Sequence, residues 1–125
     1  MRLWHEEIIQ KLPRQQLLGQ HRECCALRGK GWGKPHSVVN YIFKYDLSKL
    51  YDYHIKVMEE MMNRGYNVTS EWIEPNYRGK IVGFDNSFTY RNATYDGNIY
   101  KEHDNNYIKE CVLNLANKGI KIEKL

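Results

Sequence analysis

One short run of this sequence carries most of the residue types that could do chemistry. Residues 19–37, GQHRECCALRGKGWGKPHS, hold a single carboxylate, Glu23, directly after Arg22 and ahead of Arg28, Lys30 and Lys34. His21, His36 and the adjacent Cys24 and Cys25 complete the set. Three chemistries use such groups. Imidazoles and thiols ligate zinc, with His5, His54 or His103 as further donors; yet no C-x-x-C pair occurs, and His21 and Cys24 share a helix stripe with Leu17, as core residues do. A cysteine beside a histidine can act as a nucleophile, but two adjacent cysteines on a helix face read as packing. A lone acid in a basic run either pairs with Arg22 or Arg28, or works as a proton donor and charge stabiliser beside a bound polyanion. Glu23 is the only acid between Glu7 and Asp46.

The elements that must position these groups are mostly helical. His5 to Leu12 reads as a short helix closed before Pro13, and Pro13 suits the first turn of the next one, where its missing N–H costs little. That second helix is expected from about Arg14 to Leu27, ending near Gly29. Leu17, His21, Cys24 and Arg28 follow one stripe of it, while Gln16, Gln20, Glu23 and Leu27 follow another. Gly19 lies one turn before Glu23. A mid-helix glycine costs roughly 1 kcal/mol relative to alanine, so it implies either close approach of a ligand or tight helix packing. Residues 29–37 contain three glycines and a proline and must be a loop. The clearest helix runs from Asp46 or Ser48 to Arg64, with Leu47, Leu50, Tyr51, His54, Val57, Met58, Met61 and Met62 forming a broad apolar face and Gly65 as its stop. Residues 66–103 show no strong period. A last helix fits from Asn105 to Lys118, with Tyr107, Ile108, Cys111, Val112 and Leu115 inward and Gly119 at its end.

Composition narrows the class. The chain has 125 residues, 42% hydrophobic and 13% aromatic, which suits one folded domain with a modest core. No apolar run approaches the roughly 18 to 20 residues of a membrane span. The start, MRLWHEEIIQKL, breaks any signal-peptide pattern with acids, and three cysteines make no disulfide framework, so a reducing cytoplasm is expected. The net charge of +4 is unevenly placed. Residues 1–44 hold eight Lys and Arg against three acids, whereas residues 45–125 hold eleven against twelve. Clustered cations of this kind displace counterions from phosphates, which points to nucleic acid, although a plain solvated basic surface has the same composition.

The residues also carry a resemblance. LPRQQLLGQHRE, followed by VVNYIFKYDLSKLYDYHIKVMEEMMNRGYNV, resembles the pyrimidine-dimer DNA glycosylase family of the phage endonuclease V type over about residues 1–68. The Arg22-Glu23 pair and the Arg64-Gly65 turn are its most specific parts, joined by His36 and Tyr45-Asp46. The resemblance implies a compact helical protein that binds damaged duplex DNA. It implies attack of an N-terminal α-amine on the sugar C1′, base release through an imine, and β-elimination that nicks the strand. Glu23 matches the family's catalytic acid, and Arg22 its DNA-contacting neighbour. An α-amine titrates near 7.7 to 8.0, so a useful fraction is nucleophilic at pH 7. Arg2 is a side chain too large for initiator-Met removal, so the implied amine belongs to Met1, with Arg2 matching a family arginine. Ala26 stands where the family has another arginine, with Arg28 nearby. The family's Trp/Tyr/Lys-rich tail has no counterpart in KGIKIEKL, which leaves Trp32, Trp72 and the tyrosines between 77 and 100 as candidates for lesion recognition.

The expectation is one mainly α domain spanning residues 1–125, with glycosylase and abasic-site lyase chemistry, damaged double-stranded DNA as partner, and no cofactor, metal or obligate protein partner. Met1 and Glu23 carry the chemistry in this reading; Arg2, Arg22, Arg28, Lys30, Lys34 and His36 bind DNA. A nucleic-acid-binding module without catalysis is the alternative, and a zinc or thiol site around His21 and Cys24 is a third.

Overall fold

A computed structural model describes residues 2–35 and 38–122; Met1, His36, Ser37 and residues 123–125 lie outside the described residues, and with them two of the expected site residues. The chain begins with an extended segment and a 3-10 turn, Glu6–Lys11, followed by helix α1 (Arg14–Arg28) directly after Pro13. A second 3-10 turn, Asn40–Lys44, leads into helix α2 (Leu47–Asn63). After a third, Ser70–Ile73, come the one-turn helix α3 (Gly79–Val82) and helix α4 (Asn105–Asn117). The fold is mainly α, with no strand among the described residues beyond an isolated Tyr77–Phe84 bridge.

Local chemistry explains the boundaries. Asp46 accepts from the amide of Ser48 and Asp104 from that of Tyr107, so each caps the helix that follows it. At the other ends, Gly65 and Gly119 take positive φ of 84° and 83°. There Tyr66 N donates to Met61 O and Ile120 N to Leu115 O, each at 2.9 Å, closing both helices as Schellman motifs. Gly31 is needed for a different reason: a Cβ there would lie 2.8 Å from the Ala26 carbonyl oxygen.

The helices surround one apolar core. Leu3, Ile8, Ile9 and Leu12 from the N-terminal segment meet Leu17, Cys24 and Leu27 of α1, Leu50, Tyr53, Val57 and Met61 of α2, and Cys111 and Leu115 of α4. The expected inward face of α2 holds for Leu47, Leu50, His54, Val57, Met58 and Met61, while Tyr51 is half-buried, Met62 is 47% exposed, and Tyr53 is fully buried. Of the residues expected inward on α4, Cys111 and Leu115 are buried and Tyr107, Ile108 and Val112 are half-buried.

The irregular second half is tied back by polar groups. The buried Glu6 carboxylate accepts from the amides of Ile99 (2.9 Å) and Tyr100 (3.0 Å), with His103 Nδ1 at 3.2 Å and Lys56 Nζ at 3.5 Å. Tyr90 and Tyr95 both donate their hydroxyls to Asp52 of α2. Such bonds supply, for residues 88–103, the order that periodic apolar packing supplies elsewhere.

Candidate functional site

Three helices hold the start of the chain in place. Gln20 of α1, itself buried, accepts from the Trp4 amide at 2.6 Å. The Tyr53 hydroxyl of α2 donates to the Trp4 carbonyl at 2.5 Å, and the Tyr107 hydroxyl of α4 donates to the Leu3 carbonyl at 2.5 Å. These bonds lay residues 2–4 along the Gln16–Gln20–Glu23 stripe of α1. Between them opens a cleft of about 230 Å³, lined among others by Arg2, Trp4, Gly19, Glu23, Asn114 and Lys118.

Glu23 is 7% exposed, yet among the described residues its carboxylate forms neither an ion pair nor a hydrogen bond. The pairing with Arg22 or Arg28, one of the two readings open from sequence, does not occur. Arg22 follows the helix round to solvent, and Arg28 faces the opposite way, into the protein. A Cβ at Gly19 would meet nothing closer than Arg22 Nη2 at 3.8 Å, so helix packing does not demand a glycine there. The open space above it belongs to the cleft.

Two cations of the same cleft lie over the Trp4 ring. Arg2 Cζ lies 5.9 Å and Lys118 Nζ 5.4 Å from the indole ring. Asn114 adds a buried Oδ1 with no hydrogen-bond partner. Sequence reading missed Trp4, Asn114 and Lys118, because the residues of α4 meet α1 only through the fold. The one available signal was the capped helix at Asp104, which gives no hint of its neighbour. A larger hollow, about 490 Å³, is lined by Glu7, Glu59 and Glu60 among others, a charge opposite to what phosphates require.

Arg28 does not stand on the surface. It is 1% exposed, and its guanidinium donates to the carbonyls of Trp72 (2.8 Å), Glu74 (2.8 Å) and Tyr77 (3.2 Å), between the rings of Tyr51 and Trp72. Burial lowers its pKa to about 10, still cationic at pH 7. It is therefore a clasp between α1 and residues 72–77, with no face left for a phosphate. Lys30 and Lys34 are exposed on the loop after α1. Trp32 packs edge-on against Phe43 and Trp72 against Tyr77, which leaves both only part-exposed.

His21, Cys25 and His54 converge within 4.8 Å of one another, a donor set that could ligate a metal. Cys24, fully buried, is not part of it. Hydrogen-bond logic closes the set without an ion. Arg28 can only donate, so His54 Nδ1, 2.9 Å from Nη1, accepts, and the His54 proton sits on Nε2. That proton reaches His21 Nδ1 at 2.8 Å, and the remaining His21 proton faces Cys25 Sγ at 3.7 Å. A metal would have to displace the Nε2 proton while Arg28 still donated to the other nitrogen, leaving an imidazolate; metal-bound histidines instead need an acceptor there. Burial and the nearby Arg28 push the His54 pKa well below its usual range, and burial with Arg22 lowers that of His21. Burial raises the Cys25 thiol to about 11, so it is protonated and unreactive at neutral pH.

The fold is helical, and one cleft holds Glu23 together with Arg2 and Lys118. The sequence model described as pyrimidine dimer DNA glycosylase matches residues 1–74, more than half of the chain, and the chain belongs to that family. DNA is the substrate class that this membership implies. No curated protein and no solved structure gives a significant match. The family match covers Arg2, Trp4, Gly19 and Glu23 but ends before α4, so Asn114 and Lys118 are contributions from outside it. No helix of the described residues is long and apolar enough to cross a membrane.

Proposed function

We propose that this protein removes a damaged base from double-stranded DNA and then nicks the strand at the resulting abasic site. The amine of Met1 attacks the sugar C1′, the C1′–N bond breaks, and the base leaves with a proton as an imine forms. Loss of the C2′ proton then expels the 3′ phosphate, and water releases the enzyme. Glu23 stabilises the cationic sugar and iminium and carries protons between them. Arg2 and Lys118 hold phosphates at the mouth of the cleft, and Arg22, Lys30 and Lys34 bind the flanking backbone. No step calls for a cofactor.

The observation that carries this reading is the unpaired, nearly buried Glu23 in a cleft that also contains Arg2. Its carboxylate oxygens open to the cleft, where a substrate can reach them, and not into the core. A borohydride trap tests the proposal: the protein is mixed with duplexes carrying an abasic site or a cyclobutane pyrimidine dimer, reduced, and the cross-linked peptide is sequenced by mass spectrometry. An adduct on the Met1 amine is expected. An adduct on an internal lysine would keep the lyase and reject this nucleophile. No adduct, beside a glycosylase–lyase that traps normally, would leave a protein that binds DNA without cleaving it.

A further inference from the structure

Residues 76–85 form a turn that the cleft does not use. Arg78 N donates to Gly83 O (2.9 Å), Gly83 N to Gly79 O (2.7 Å) and Asp85 N to Asn76 O (2.9 Å). The turn is entered and left through Gly79 and Gly83, at φ of 92° and 73°, a region that glycine adopts readily and other residues do not. Its base is fixed to the end of α1, where Arg78 donates Nε to Arg28 O (2.9 Å) and Nη2 to Gly29 O (3.3 Å) while pairing with Asp85.

This rigid turn holds its apolar side chains outward. Ile81 is 77% exposed, the most exposed large apolar residue among those described, with Val82 at 42% and Phe84 at 53%. Neighbouring apolar side chains on a fixed turn add little to the core and mark a contact surface. Charge identifies what covers it. Lys80 lies in the turn, no acid occurs between Pro75 and Phe84, and Asp85 is engaged by Arg78. The Gly29 anchor opens the loop that carries Lys30 and Lys34, and no acid occurs between Cys24 and Tyr45. An apolar tip bordered by lysines matches a duplex, whose phosphates need cations and whose stacked bases accept an apolar wedge.

We infer that the Arg78–Gly83 turn is a DNA wedge: Ile81 and Val82 enter between base pairs beside the damaged nucleotide, while Lys80, Lys30 and Lys34 hold the flanking phosphates. The inference rests on the DNA-glycosylase reading above and adds how that site gains access to C1′, which base stacking otherwise covers. A turn fixed at its root needs no ordering on binding.

The test compares the wild type with the Ile81→Ser/Val82→Ser variant on a duplex carrying a tetrahydrofuran abasic analogue beside 2-aminopurine, whose fluorescence rises on unstacking. The variant is expected to lose at least about two thirds of the rise and about tenfold in duplex affinity. Its melting temperature and its borohydride trapping on a single-stranded abasic oligonucleotide, which needs no unstacking, should be unchanged. Ile81→Phe, which keeps a large apolar tip, should retain the fluorescence rise. A double variant that unstacks the duplex as the wild type does would overturn the wedge, as would equal loss of single-strand trapping, which would assign the turn to shaping the cleft. A wild-type dimer in sedimentation that the variant breaks, with unstacking intact, would assign the patch to self-association. Failure of the wild type to trap on either strand while it still unstacks the duplex would overturn the glycosylase reading and leave the wedge standing.

Discussion

At the scale of single residues, two charged groups on one helix illustrate how environment decides role. Glu23 and Arg28 lie five residues apart on α1, both buried. Arg28 has three carbonyl acceptors and two aromatic faces, so its charge is satisfied within the fold. Glu23 has none of this and faces a cleft. Replacing Glu23 with Gln keeps shape and removes charge. Glu23→Gln should therefore lower single-turnover nicking of an abasic duplex by about 10² to 10⁴ and not weaken binding in a filter assay, because the carboxylate supplies no attraction for phosphate. A binding module without catalysis would have no turnover for the substitution to lower.

Glu23 was legible in the sequence as the lone acid of a basic run, and the stripe that carries it was legible from helical spacing. Arg28 was placed on the correct stripe with Leu17 and Cys24, yet its charge suggested the surface. The carbonyls that satisfy it come from residues 72–77, an irregular segment whose path no local pattern encodes.

At the scale of elements, α2 and α4 were readable because each has a capping aspartate, an apolar period and a terminating glycine in the left-handed region, and α1 because Pro13 opens it and an apolar stripe runs along it. What could not be read was which helix faces which. Local propensity fixes a helix, whereas the approach of α4 to the Glu23 cleft depends on long-range bonds such as Tyr107 to the Leu3 carbonyl. That approach leaves Asn114 with a buried, partnerless Oδ1. A structural asparagine would have a partner to lose. Asn114→Ala should therefore leave the melting temperature unchanged or slightly raised, while lowering turnover on abasic duplex about tenfold, the value of roughly one hydrogen bond. A lowered melting temperature with normal turnover would make Asn114 a packing residue that the cleft does not use.

At the scale of the whole molecule, the start and the end of the chain are joined by buried ionisable groups, and these set its response to pH. Burial alone would raise the Glu6 pKa, but hydrogen bonds from His103, Ile99 and Tyr100 outweigh it and lower the value. The stability it contributes is complete above the unfolded carboxylate pKa of about 4.3 and is lost as pH falls through the lower folded value. His5, His21 and His54 are shifted downward as well, in each case first by burial. Below about pH 6.5 the unfolded chain binds protons on these imidazoles that the folded chain refuses, so stability again falls with acid. For the fully buried His54 the loss is about 1.4 kcal/mol per pH unit until its folded pKa is reached. The two clusters act in the same direction and in successive windows. The melting temperature, followed by calorimetry, should be level from pH 8 to 7, decline from about 6.5, and decline further below about 4.3 as Glu6 is protonated. A melting temperature that rose between pH 7 and 5.5 would mean that the fold holds these histidines as cations, which would break the hydrogen-bond chain from Arg28 through His54 and His21 to Cys25.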